Sequence, residues 1–95
     1  MYKVGTFSIT DSFQLTGRGL VATGKIFDGR VKTGQQISID IDGEKVLLNI
    51  SGVDIGKPKD DGDYFVGLHL HSDNPNLSID LKTVKLKEQI AEIFE

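Results

Sequence analysis

Apolar and polar residues alternate with period two along most of this chain, the pattern of strands that bury one face. In Gln36–Ile41 the residues Ile37, Ile39 and Ile41 share one face, and Ser38 and Asp40 take the other. In Tyr64–His71 the set Tyr64, Val66, Leu68 and Leu70 points inward, leaving Phe65, Gly67, His69 and His71 outward. The pattern predicts strands at Lys3–Ile9, Phe13–Thr16, Gly19–Phe27, Gln36–Ile41, Glu44–Ile55 and Tyr64–His71. Asp28-Gly29 and Asp42-Gly43 read as hairpin turns, because glycine accepts the positive φ that tight turns need.

One strand carries a phase error. Val46, Leu48 and Ile50 share a parity that Val53 and Ile55 do not. An extra residue near Ser51-Gly52, a β-bulge, restores a single buried face. Bulges bend strands, which favours a small closed barrel over a flat sheet. Gly56–Asp63 and Ser72–Asn76 read as charged or polar loops. After Leu86 the period changes: Leu86, Ile90, Ile93 and Phe94 recur at helical spacing, with Lys87, Glu88 and Glu92 opposite. A short amphipathic helix is therefore predicted over 87–94, following a barrel of about residues 2–86.

Ninety-five residues, 38 % of them hydrophobic, suffice for one domain and leave no room for a second core. No apolar run approaches the ~18 residues of a membrane span, and no charged-then-apolar leader opens the chain. With no cysteine there is no disulfide, thiolate metal site or cysteine nucleophile, which accords with a cytoplasmic location. Starting at Met1, the chain reads as a free-standing protein. The net charge of −3 conceals an asymmetry: residues 1–36 carry +3 and residues 37–81 carry −6. A dense polyanion-binding surface is thereby disfavoured, while a small basic patch from the first third stays open.

Several motifs fail on context. Gly19-Leu20-Val21-Ala22-Thr23-Gly24-Lys25 imitates a phosphate-binding loop, but Ile26 replaces the hydroxyl residue that reaches magnesium, and Val21, Thr23 and Ile26 favour a continuing strand. Gly17-Arg18-Gly19 likewise imitates a dinucleotide fingerprint without the helix that must follow. Ser38–Asn49 resembles a calcium loop only at Asp40, Asp42 and Gly43. His69 and His71 share one strand face and could bind a metal with a third ligand, but no carboxylate partner is evident, so a solvated outer face is expected. No catalytic constellation emerges, and the chain reads as non-enzymatic, with no cofactor.

The run Ile9-Thr10-Asp11-Ser12-Phe13-Gln14-Leu15-Thr16-Gly17-Arg18-Gly19-Leu20-Val21-Ala22-Thr23-Gly24-Lys25-Ile26, continued by Gly29-Arg30-Val31-Lys32-Thr33-Gly34 and the strand at Ile37–Ile39, is different. It resembles the second, β-barrel domain of elongation factor Tu and related translational GTPases, whose pattern is Ile-x-Asp-x-Phe-x-Ile-x-Gly-Arg-Gly-x-Val-x-Thr-Gly-x-Val. The resemblance weakens through Val46–Val53 and Gly62–Leu70. It implies a closed barrel of about six strands that contacts the aminoacylated end of tRNA and ribosomal RNA. By the same resemblance Phe13 and Thr23 line the pocket near the esterified amino acid, and Gly17, Arg18 and Gly19 form a turn that approaches RNA. The GTPase domain is missing, so nucleotide hydrolysis does not transfer.

The expected protein is thus an all-β, closed six-stranded barrel with a short C-terminal helix, acting as a binding module. Its expected surface is the outer wall around Phe13, Gly17, Arg18, Gly19, Val21, Thr23 and Lys25, and its partners are tRNA or ribosomal RNA. The alternative is a protein-interaction or self-associating module, built on Phe27 and Phe65 beside the Leu86/Ile90/Ile93/Phe94 stripe, which could form a homodimer seam.

Overall fold

The period-two segments become strands, two of them joined into one and the others shifted by at most two residues at an end. The computed structural model describes residues 1–17, 19–56, 64–77 and 79–95. Among these residues the elements are β1 (Lys3–Leu15), β2 (Gly19–Gly29), β3 (Gln36–Ile41), β4 (Glu44–Gly56), β5 (Phe65–His71) and β6 (Gln89–Phe94). They form a closed antiparallel barrel in the order β1-β2-β5-β4-β3-β6, with β6 returning to β1. The predicted loop over 56–63 lies, beyond Gly56, outside the described residues.

The two predicted segments Lys3–Ile9 and Phe13–Thr16 are one strand. Ile9 pairs with Gly24 and Asp11 with Thr23, leaving Thr10 as a bulge. The bulge reverses parity, so Phe7 and Ile9 face the core, then Ser12 does, and Phe13 faces out. In β4 the bulge falls where the phase error placed it: Ile50 pairs with Leu70 and Gly52 with His69, with Ser51 extra.

The predicted helix over 87–94 is corrected. Its residues from Gln89 onward are β6, which pairs with β1 on one side and β3 on the other. Ala91 and Ile93 are fully buried, opposite Phe7 and Gly5, whereas Ile90 is 52 % exposed. A short isolated helix is marginal in water, and here the segment gains more by satisfying two otherwise open sheet edges.

Asp28-Gly29 is not a hairpin either, because β2 and β3 are not neighbours and residues 30–35 carry the chain between them. Asp42-Gly43 is one: with φ of 52° and 88° it joins β3 to β4 through the pair Ile41↔Glu44. Gly24 allows the β1–β2 curvature, since a Cβ there would lie 1.8 Å from the Ser8 carbonyl oxygen.

The core fills the barrel with Phe7, Ile9, Leu20, Ile39, Leu48 and Leu68 among others. The connection from β5 to β6 adds Leu77, Ile79, Leu81, Val84 and Leu86 to it. Gln14 Nε2 donates to the Leu81 and Val84 carbonyls, at 2.8 and 3.2 Å, and holds that connection where β1 finishes.

Candidate functional site

Strand pairing places the expected surface on the outer wall of β1 and β2. Phe13 stands opposite Val21, and the next outward pair is Asp11 with Thr23. Phe13 is 47 % exposed, Thr23 half-buried and Lys25 exposed, while Val21 is buried on the outside of the barrel. Gly17 and Gly19 have φ of 79° and 90°, and their Cβ positions are open, so backbone conformation alone selects glycine there. Arg18 lies outside the described residues. The structure therefore brings Phe13, Val21 and Thr23 together, with Lys25 further along the same face.

The same rows continue across β5 and β4. Val21 pairs with His69, which pairs with Gly52; Thr23 pairs with Gly67, which pairs with Asp54. His69 was expected on a solvated face, yet it is buried at 8 % exposure. Its ring lies over Gly52, where a Cβ would come within 3.1 Å of His69 Cδ2, and its Nε2 meets Asp54 Oδ2 at 2.5 Å. Gly52 and Gly67 sit diagonally in this square of four residues, and the missing side chain at Gly52 makes room for the imidazole, which reaches toward Asp54. Asp54 itself stays open, with its side chain 72 % exposed.

His71 is half-exposed and has its own carboxylate, Asp73, at 3.6 Å. The expectation that no carboxylate accompanies the histidines is thus corrected for both. The pairs remain separate: among the described residues no group of three His, Asp or Glu side chains is placed to hold a metal ion. Asp54 was legible in principle, since the bulge that puts Gly52 and Asp54 on one face also puts them on the face of His69; the opposite face is not fully buried as the phase predicted, because Val53 is only half-buried and Ile55 is 72 % exposed.

Among the described residues, two bases of the first third stand in ion pairs. Lys3 pairs with Glu92 at 3.5 Å and Lys32 with Glu95 at 3.3 Å, so acids at the C-terminal end meet bases near the start. Asp11 accepts from Lys85 Nζ at 2.5 Å and from Ser12 N at 2.8 Å. The Lys85 hydrogen bond, then the Ser12 backbone bond, then the Lys85 charge hold the Asp11 carboxyl below its usual range.

Gly19–Lys25, the phosphate-loop imitation, is extended throughout as part of β2, so no helix N-terminus faces it. Asp40, Asp42 and Gly43, the calcium-loop imitation, belong to β3 and its hairpin, where Asp40 Oδ1 accepts from Gly43 N at 2.8 Å. The stripe proposed as a seam is dispersed: Leu86 and Ile93 are buried in the core, and Ile90 faces solvent.

Two clefts flank the final residues of β4. A polar one of about 440 Å3 is lined by Thr33, Ser51, Gly52, Val53, Asp54 and His69. An apolar one of about 420 Å3 lies among Ile26, Ile55, Gly56, Tyr64 and Val66. No protein-family model matches the chain, and no solved structure matches it significantly.

Proposed function

We propose that this barrel is a non-enzymatic binding module, related to the second domain of elongation factor Tu and its kin, whose outer β1–β2 wall contacts RNA of the translation machinery. The single observation that carries the reading is Phe13. Its ring stands on the outside of the barrel, half-exposed, in register with a buried Val21, so it is not needed to fill the core. An aromatic ring on a firm apolar base is a platform for stacking a nucleobase, worth about 1–3 kcal/mol per base. Thr23 and Lys25 follow on the same face of β2, and Gly17 and Gly19 lie at the end of the same hairpin.

The test is binding of aminoacylated and deacylated tRNA to the purified protein, read by fluorescence anisotropy at low ionic strength. Binding should weaken as salt rises, because cations on the protein displace counterions from phosphate. Phe13→Ala should weaken it about tenfold, in line with a lost stacking contact. Absence of any salt-sensitive binding, or a Phe13→Ala protein that binds unchanged, sinks the reading.

A further inference from the structure

β4 has two edges, and they end at different places. Its pairing with β5 runs to Gly56, but its pairing with β3 stops at Asn49. Ile50 extends the second edge by one residue, accepting from Gly34 N at 3.0 Å and donating to Gln35 O at 2.9 Å. Beyond it, among the described residues, no strand lies against that edge of Ser51–Gly56. An open edge is a row of unpaired backbone donors and acceptors, which a further extended segment can satisfy.

Asp54 and Ile55 are successive residues of this stretch, so their side chains leave opposite faces. Asp54 points outward into the polar cleft, with its carboxylate fixed by His69 and open to solvent. Ile55 points the other way, 72 % exposed, into the apolar cleft with Ile26, Tyr64 and Val66. A strand laid against this edge would place alternate side chains beside Asp54 and beside Ile55, because its own faces alternate.

We infer that the Ser51–Ile55 edge of β4 is a docking site for an extended peptide of a partner protein, in which a lysine or arginine alternates with an aliphatic residue. The cation meets Asp54 and the aliphatic side chain meets Ile55. Charge selects the occupant. Two copies of this chain paired antiparallel about the segment would bring Asp54 toward its own counterpart, and residues 37–81 carry −6 overall, so a second copy is opposed and a basic strand is favoured. The site is separate from the β1–β2 wall, and its test does not depend on RNA binding.

The probe is a synthetic six-residue peptide alternating lysine and valine, added to the 15N-labelled full chain. Amide resonances of Ser51–Ile55 should shift, with hydrogen exchange at those residues slowed. A glutamate–valine peptide should bind at least tenfold more weakly, and N-methylation of alternate peptide amides should abolish binding. Asp54→Lys should exchange the preference between the lysine and glutamate peptides, and Ile55→Ser should weaken both. Both substituted residues are largely exposed, so the folded spectrum should persist and report the loss directly. Equal binding of the two peptides, shifts mapping away from β4, or sedimentation showing that the same residues mediate self-association would each overturn the proposal.

Discussion

Lys85 Nζ lies 2.5 Å from Asp11 Oδ1, tying the connection before β6 to a residue of β1 74 positions earlier. The same ammonium donates to the Ser12 carbonyl at 2.7 Å, and Leu86 N donates to the Ser12 hydroxyl at 2.8 Å. Two adjacent residues of β1 thus hold two adjacent residues of the connection, immediately before the chain enters the strand that closes the barrel. Asp11 is also the cross-strand partner of Thr23, so the fastening sits at the border of the proposed RNA-contacting wall.

This fastening sets a pH dependence. The Asp11 carboxyl is held below its usual range in the folded protein, first by the Lys85 hydrogen bond. A depressed folded pKa gives stability that is present above the unfolded value, near ~3.9, and lost as pH falls through the folded value. In Lys85→Met the Asp11 carboxyl should titrate back toward the ordinary aspartate range, followed by its side-chain carboxyl carbon shift. The urea midpoints of the two proteins should converge as pH drops through that interval. An Asp11 that titrates identically in both proteins would remove Lys85 as the cause.

Ser12 supplies the second half of the fastening. It is 1 % exposed, and its hydroxyl accepts the Leu86 amide in a buried setting. Ser12→Ala leaves that amide without its acceptor, a loss of about 1–3 kcal/mol. Urea denaturation measures it, and hydrogen exchange should show the added opening concentrated at Leu86 rather than spread over the barrel.

Two barrel glycines, Gly24 of β2 and Gly67 of β5, should respond differently to one added carbon. At Gly24 the new Cβ meets the Ser8 carbonyl oxygen at 1.8 Å, a backbone atom that cannot swing aside. Gly24→Ala should cost about 3 kcal/mol or more, at the upper end for overpacking. At Gly67 the nearest atom is Val21 Cγ1 at 3.4 Å, an ordinary contact. Gly67→Ala should therefore change stability by less than about 1 kcal/mol, with the strand's preference for a side chain in its favour. Equal destabilisation of the two variants would contradict the close β1–β2 approach.

These same contacts explain what local pattern could and could not reveal. Ile37, Ile39 and Ile41, or Val66, Leu68 and Leu70, announce their strand because every second residue is large and apolar. Asp11-Ser12 reads as an interruption of β1, since the partners that make it sensible, Lys85 and Leu86, are far along the chain. The His69–Asp54 pair needs the β4–β5 register, which the phase error at Ser51-Gly52 contained but which required following the reversed parity to Asp54. In 89–94 the inward residue Ala91 is too small to mark a face, so the spacing of Leu86, Ile90 and Ile93 pointed to a helix. The count of six strands survived only because Gln89–Phe94 took the place of a segment that belongs to β1.

The assignment of β6 makes a contrast that a helix would not. On a helical stripe Ile90 and Ile93 would share one apolar face and matter alike. In the barrel Ile93 is fully buried between Gly5 and Ile37, and Ile90 lies outside, opposite Ser8. Ile93→Ala removes a core side chain next to the closing seam and should cost about 2–5 kcal/mol. Ile90→Ala should cost less than about 1 kcal/mol, because most of that side chain already meets water. Both follow from urea denaturation with circular dichroism, and the folded baseline should retain its sheet signature in each. Comparable losses at the two positions would restore the shared apolar face and remove Gln89–Phe94 from the barrel.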